Sequence, residues 1–515
     1  MPEFKSDSSL KRILSNGVYT VSRFGVYAIS GILFIPFLVK EFGSGSYGLL
    51  ALGGFLTQYI GMISSCVGTA VARYLNIALN SNDWRQANEI FTTAIVANAG
   101  FILLQLPLFA LGVWKLDWLI DFPEELSRDF RILVACNILL FFLNIMKGVL
   151  FTPIQAANRL DISEKFMIGS QIARMVLLFS LIKCCGARLW IVGAVDLSLS
   201  VCVFLIGISI YHRLVQKNLV FKREYITAKW VKPILSMAGW SLVSMLGFSL
   251  FVKTDVWIIN RFVSKEMAGV YAALLVWPNL IKQIGSVLGG LVAPVFTIDF
   301  AHGRNERMID SLMFSAQFVA YAASLLCGIF IALAPGLIRL WLDETFIQYA
   351  LWIRLLLGLL VFTISGSVFW RIFVTIGETK YMGLGNLIPG VLNISFSLLL
   401  VHFGYGALGV ICASMVALVL KENILFPVWI SKEVGIPFSR FLLIYLRAGA
   451  GCVLVILVSR LLISTPVDLS IWQLGYVMPL SGLALLGLVI FMSTNSEKLA
   501  FMKVLQNHFL IGIKK

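Results

Sequence analysis

GSYGLLAL, residues 45–52, and EMAGVYAA, residues 266–273, stand 221 residues apart, and sliding one onto the other brings Gly48 onto Gly269. The same shift, without a gap, lays VGTAVARYL (Val67 to Leu75) on LGGLVAPVF (Leu288 to Phe296), matching Gly68 with Gly289, Val71 with Val292 and Ala72 with Ala293. Both copies then run into a polar loop, NSNDWRQANEI and AHGRNERMIDS. A shift near 218 also pairs Gly186 with Gly404. Apolar segments resemble one another by chance, but glycines matched at equivalent places in long segments point to an internal duplication.

The repeating unit is built for lipid. The chain has 515 residues, 59% of them hydrophobic and only 13% charged, with a mean hydropathy of +0.91. Soluble domains carry about 25% charged residues, so this is the composition of a polytopic membrane protein. Apolar runs long enough to cross about 30 Å as helix give fourteen spans, near 17–40, 46–72, 88–113, 129–152, 166–184, 189–212, 233–258, 267–297, 311–334, 347–373, 382–402, 406–430, 442–463 and 473–493. Lys5, Lys11 and Arg12 precede the first run, which has no small-residue cleavage site, so it reads as an uncleaved span.

The repeat shift equals six spans. Six is even, so the two copies keep one orientation and are parallel repeats related by an axis along the membrane normal. The predicted fold is all-α, with about fourteen transmembrane helices. An N-terminal lobe (1–228, spans one to six) and a C-terminal lobe (229–441, spans seven to twelve) enclose a cavity, and residues 442–515 add spans thirteen and fourteen and a tail.

With the N-terminus cytoplasmic, the inside loops hold Arg213, Lys217, Lys222, Arg223, Lys229 and Lys232, and the tail holds Lys498, Lys503, Lys514 and Lys515. The opposite loops hold fewer, among them Lys115, Arg128, Lys183, Arg188, Arg261, Lys265 and Arg339. This bias places both termini in the cytoplasm.

Several classes are excluded. The net charge of +15 is dispersed over short loops, with no soluble domain to hold nucleic acid. No G-x-x-x-x-G-K-[ST] or H-E-x-x-H motif is present, so neither an ATP-driven pump nor a zinc protease is indicated, and no catalytic residues are assigned. The eight cysteines show no C-x-x-C or Cys/His spacing, so no metal or cofactor is expected.

The passages FGVYAISGILFIPFLVKEFGSGSYGLLALGGF, NRLDISEKF, KTDVWIINRFVSKEMAGVYAAL and HFGYGALGVICASMVAL resemble the polysaccharide-transporter branch of the multidrug/oligosaccharidyl-lipid/polysaccharide exporter superfamily. That branch holds the O-antigen and capsule flippases. The resemblance implies a bacterial inner-membrane flippase that carries undecaprenyl-pyrophosphate-linked oligosaccharide from the cytoplasmic to the periplasmic leaflet by alternating access, driven by an ion gradient. It also implies as partners the lipid-linked substrate, membrane lipids, a glycan polymerase and a chain-length regulator. In the related lipid II flippases an extra helix pair contributes a groove for the lipid tail.

That substrate gives intramembrane cations a purpose. A charge near the bilayer centre costs about 2.5–3.5 kcal/mol on insertion scales, and a pyrophosphate carried through the membrane is offset by charge-assisted hydrogen bonds. Arg174 and Lys282, like Lys421 and Glu422, lie too far inside their spans for easy snorkelling, Arg354 lies in the outer half of span ten, and Arg23 lies on the span that lines the cavity in this superfamily. Lys253 joins them from the stretch SLFVKTDVWIINRF, with Trp277 and Asn279 as sugar partners. Asp196, Asp255 and Glu422 are the carboxylates well inside spans, hence candidates to exchange H⁺ or Na⁺. Lys421 and Glu422 point about 100° apart on an α-helix and need not pair.

Two other readings compete. A multidrug exporter of the same superfamily that exchanges cationic drugs for H⁺ or Na⁺ calls for a cavity of carboxylates and aromatics, whereas deep basic residues outnumber acidic ones here. A polysaccharide polymerase or ligase calls for a large periplasmic loop, and no loop exceeds roughly 20 residues.

Overall fold

The computed structural model describes residues 10–492 apart from residues 82, 157–159, 215–218, 253, 302, 379 and 464–465. The helices are α1 (Leu10–Leu52), α2 (Phe55–Ile60), α3 (Met62–Asn80), α4 (Trp84–Trp114), α5 (Leu116–Leu119), α6 (Ser127–Ala156), α7 (Leu160–Cys185), α8 (Leu189–Leu214), α9 (Val231–Val252) and α10 (Thr254–Phe262). They continue as α11 (Lys265–Leu274), α12 (Val276–Ala301), α13 (Asn305–Trp341), α14 (Ala350–Thr363), α15 (Gly366–Thr375), α16 (Lys380–His402), α17 (Gly406–Val419), α18 (Phe426–Val434), α19 (Phe438–Leu462) and α20 (Ile471–Met492). A π-helical turn, Leu420–Leu425, joins α17 to α18. No strand occurs among the described residues. Helix is the expected outcome in lipid, where each backbone N–H and C=O must be satisfied within its own segment.

The chain is a multi-pass membrane protein. Among the described residues eleven helices are long and apolar enough to cross a bilayer, or twelve if Leu242–Leu250 and Thr254–Phe262 form one bent span. The expected fourteen differ at spans two and eight, which are interrupted. The chain leaves helical geometry at Gly43 (φ 78°), breaks again at residues 53–54, and breaks once more at Gly61 before α3. In the eighth span Pro278 has no N–H for the carbonyl four residues earlier, and the helix breaks at Leu275 between α11 and α12.

Two of these interruptions obey the repeat. Adding 221 to Gly43 gives Ser264, in the gap between α10 and α11, and adding it to residues 53–54 gives residues 274–275, the last residue of α11 and the break before α12, whereas the counterpart of Gly61, residue 282, lies inside α12. Two halves whose helices break at equivalent places share a backbone plan, although different residues make the breaks.

By contact the chain forms two compact units, one of Met1–Ala273 with Asn386–Val410, the other of Leu274–Gly385 with Ile411–Lys515. In the first, Cys66, Ala70, Leu75, Ile90 and Phe91 of α3 and α4 form a core that also buries Trp230. The Trp230 indole donates to Glu89 at 3.2 Å. In the second, α13 is packed along α19. The Ser324 hydroxyl donates to the Ala448 carbonyl at 2.8 Å, and Gly328 lets Val455 so close that a Cβ there would stand 2.7 Å from its Cγ1. Small residues at such a crossing let dispersion act at short range, the main attraction between helices in lipid.

Candidate functional site

The intramembrane polar groups sort into sets that the structure brings together. The most enclosed lies in the first unit around Asp255, which is 4% exposed. Its Oδ2 accepts from the Tyr271 hydroxyl of α11 at 3.0 Å, and its Oδ1 accepts from Asn393 Nδ2 of α16 at 2.9 Å. Next to it, Thr254 shares a hydrogen bond of 2.6 Å with the Tyr59 hydroxyl of α2. Ser397, one turn from Asn393, is fully buried and its hydroxyl has no hydrogen-bond partner among the described residues. Four helices thus deliver carboxylate, phenol, amide and hydroxyl groups to one place. An oxygen-rich, buried set is chemistry suited to a proton or a hard monovalent cation.

Asn393 and Ser397 were not among the sequence candidates. Their signal was available: two polar residues at i and i+4 on one face of an otherwise apolar span. Lys253, expected beside Asp255, lies outside the described residues.

Other expected site residues meet each other instead of standing alone. Arg174 of α7 grips Asp196 of α8 with two bonds, Nε to Oδ1 at 2.5 Å and Nη2 to Oδ2 at 3.1 Å. Arg23 of α1 pairs with Glu164 of α7 at 2.7 Å. Each charge therefore has its counter-charge within one unit, which lowers the cost of carrying it in lipid.

In the second unit, Lys421 reaches Glu422 at 2.8 Å and lies over the Phe426 ring at 5.4 Å. An ordinary helix would direct these neighbours about 100° apart, but here they stand on the π-helical turn, and the long lysine stem folds back. Glu422 presses against Gly366 at the break between α14 and α15, and its Oε2 is buried without a hydrogen bond among the described residues.

Arg354 has a specific local task. Pro335 in α13 has no N–H, which leaves the carbonyl of Ile331 without its helical donor, and Arg354 Nε supplies one at 3.3 Å. Trp277 packs on Phe330 and Trp341 with ring centroids 4.4 and 5.2 Å apart. Asn279 is exposed and Lys282 half-buried on α12.

The repeat glycines form a contact of their own within the first unit. A Cβ on Gly48 would stand 2.9 Å from the Gly269 nitrogen and 3.1 Å from the Lys265 carbonyl, and one on Gly269 would run into the Ser44 carbonyl. Ser44 and Lys265 are themselves 221 residues apart. A contact in which i meets j and the equivalent of j meets the equivalent of i is isologous, the mark of a two-fold axis passing through it.

No protein-family model matches the sequence. The chain is 23% identical over 413 residues to an uncharacterized membrane protein, EpsK of Bacillus subtilis, covering 79% of this chain and 81% of that protein. Its fold is similar to that of the lipid II flippase MurJ in an inward closed conformation, with a TM-score of 0.69 at 16% identity over 92% of this chain and 98% of the other. An inward-facing multidrug resistance MATE transporter matches with a TM-score of 0.63 at 18% identity, over 80% and 94%.

Proposed function

We propose that this chain, which has the fold of the multidrug/oligosaccharidyl-lipid/polysaccharide exporter superfamily, is a flippase for a lipid-linked oligosaccharide. The cargo class is an undecaprenyl-pyrophosphate-linked repeat unit of O-antigen, capsule or exopolysaccharide, moved from the cytoplasmic to the periplasmic leaflet of a bacterial inner membrane. The protein acts as a secondary transporter, with two lobes related by the repeat, both termini in the cytoplasm and no chemistry done on the cargo.

One observation carries the choice of a lipid cargo over a soluble drug. The likeness to the lipid II flippase extends over 92% of the chain, whereas the likeness to the drug exporter stops at 80%. The chain beyond the twelve repeat spans is α19 and α20, and these are built in: Ser324 and Gly328 of α13 receive α19, while Leu333, Val455, Val477 and Leu485 share a core. A helix pair fixed beside the repeat gives an isoprenoid tail a surface that a drug does not need. The excess of cations over carboxylates suits an anionic headgroup in the same direction.

Asp255, with Tyr271, Asn393 and Ser397, is our choice for the coupling ion, H⁺ or Na⁺. Lys282, on the eighth span, is our choice for the pyrophosphate.

The test reconstitutes the purified protein into liposomes with a fluorescent undecaprenyl-pyrophosphate saccharide and follows its accessibility to a membrane-impermeant quencher. Ion-gradient-dependent flipping is expected, with Lys282→Ala at least tenfold slower at equal folded protein. No flipping, together with gradient-driven efflux of a cationic dye, would refute the flippase reading in favour of drug export.

A further inference from the structure

Arg354 is not alone. Helices α13 and α19 run parallel in register, with Ser324 beside Ala448, Gly328 beside Val455 and Gly336 against the Pro466 carbonyl. That register sets Arg460 of α19 level with residues 331–333, the level at which Arg354 caps the Ile331 carbonyl. Helices α14 and α19 are packed on each other, and Arg460 acts on Arg354 as a like charge. Among the described residues no carboxylate pairs with either. The neighbouring Arg339 is already held by Glu344 and Asp468, each at 2.7 Å, so those acids are taken.

The surroundings are those of lipid. Leu351 beside Arg354, and Leu457 and Leu461 around Arg460, are exposed apolar side chains. Arg354 is four residues into α14, which the turn Glu344–Tyr349 precedes, and Arg460 is two residues from the end of α19. Two like charges facing lipid at one level are tolerable where an anion lies between them. Arg354 Nε is committed to Ile331, but its two Nη groups and the Arg460 fork remain as donors for phosphate oxygens.

We propose that Arg354 and Arg460 hold the phosphate of an anionic phospholipid against the notch between α14 and α19. The occupant is a resident phospholipid because the pair stands on the lipid-facing surface, where such phosphates are the abundant anion. The site stands whether or not the transported cargo is lipid-linked.

The test counts lipids retained by the full-length protein in native mass spectrometry after exchange into phosphatidylglycerol and phosphatidylcholine in equal amounts. Wild type is expected to keep phosphatidylglycerol over phosphatidylcholine, Arg460→Gln to lose about fivefold of it and Arg460→Lys to lose less. Arg460→Gln leaves the Ile331 cap in place, and Arg354→Gln with Pro335→Ala provides a second variant that removes the other arginine without orphaning that carbonyl. Equal retention of the two lipids, or unchanged retention in both variants, overturns the proposal. Displacement by millimolar inorganic pyrophosphate overturns it in favour of a free-anion site, and displacement by equimolar undecaprenyl pyrophosphate overturns the phospholipid in favour of the cargo lipid.

Discussion

Asp255 holds the polar centre of the first unit because no single helix could. The carboxylate needs donors from Tyr271 on α11 and Asn393 on α16, and each of those would be costly in lipid without it. If this set carries the coupling ion, Asp255→Asn keeps most of the volume and hydrogen bonding but removes the charge. Flipping by that variant is expected to lose its dependence on an imposed H⁺ or Na⁺ gradient, at least tenfold, with the protein still folded. A variant that responds to the gradient as wild type does would eliminate Asp255. The aspartate itself was legible in the sequence, as a carboxylate well inside a span. Its partners were less so, because Tyr271 and Asn393 lie 16 and 138 residues away and only the fold makes them neighbours. The same is true of Arg174 and Asp196: read singly they look like a phosphate ligand and an ion site, and the fold makes them a pair.

At the scale of the element, the defects in the helices carry the information. Pro335 orphans the Ile331 carbonyl, and Arg354 answers from the next helix. Arg354→Gln should therefore lower stability by about 1 kcal/mol, the order measured for hydrogen bonds between helices in lipid. Pro335→Ala restores the N–H, so in that background the arginine substitution should cost close to nothing. Thermal unfolding of the four proteins in this cycle decides it, and additive effects would separate the two residues. Spans two and eight show the limit of counting apolar runs. Their composition predicts one uninterrupted crossing each, yet residues 53–54 and Gly61 divide the first and Leu275 divides the second. Apolar content reports only that a segment prefers lipid. Where its backbone turns depends on glycine, on proline and on what packs against it.

At the scale of the whole molecule, the repeat makes a symmetric prediction. Gly48 and Gly269 meet at a reciprocal contact, so Gly48→Ala and Gly269→Ala should both force the two backbones apart, at a cost of about 1–3 kcal/mol for overpacking, with Gly269→Ala the costlier because its Cβ would run into the Ser44 carbonyl while that of Gly48→Ala only crowds Gly269 and the Lys265 carbonyl. A cysteine placed at Ser44 should label faster with a membrane-impermeant reagent in both. Faster labelling in one and not the other would break the symmetry. The sequence by itself determined the class: helices throughout, many membrane spans, and a duplication at 221 residues, because hydropathy and repeated glycines are written locally along the chain. Only the tertiary structure decided which charges are paired, that the matched glycines touch, and that Arg354 serves a proline-broken helix and stands level with Arg460. Those facts depend on distances between residues far apart in the chain, and in a membrane the worth of a charge is set by what stands beside it.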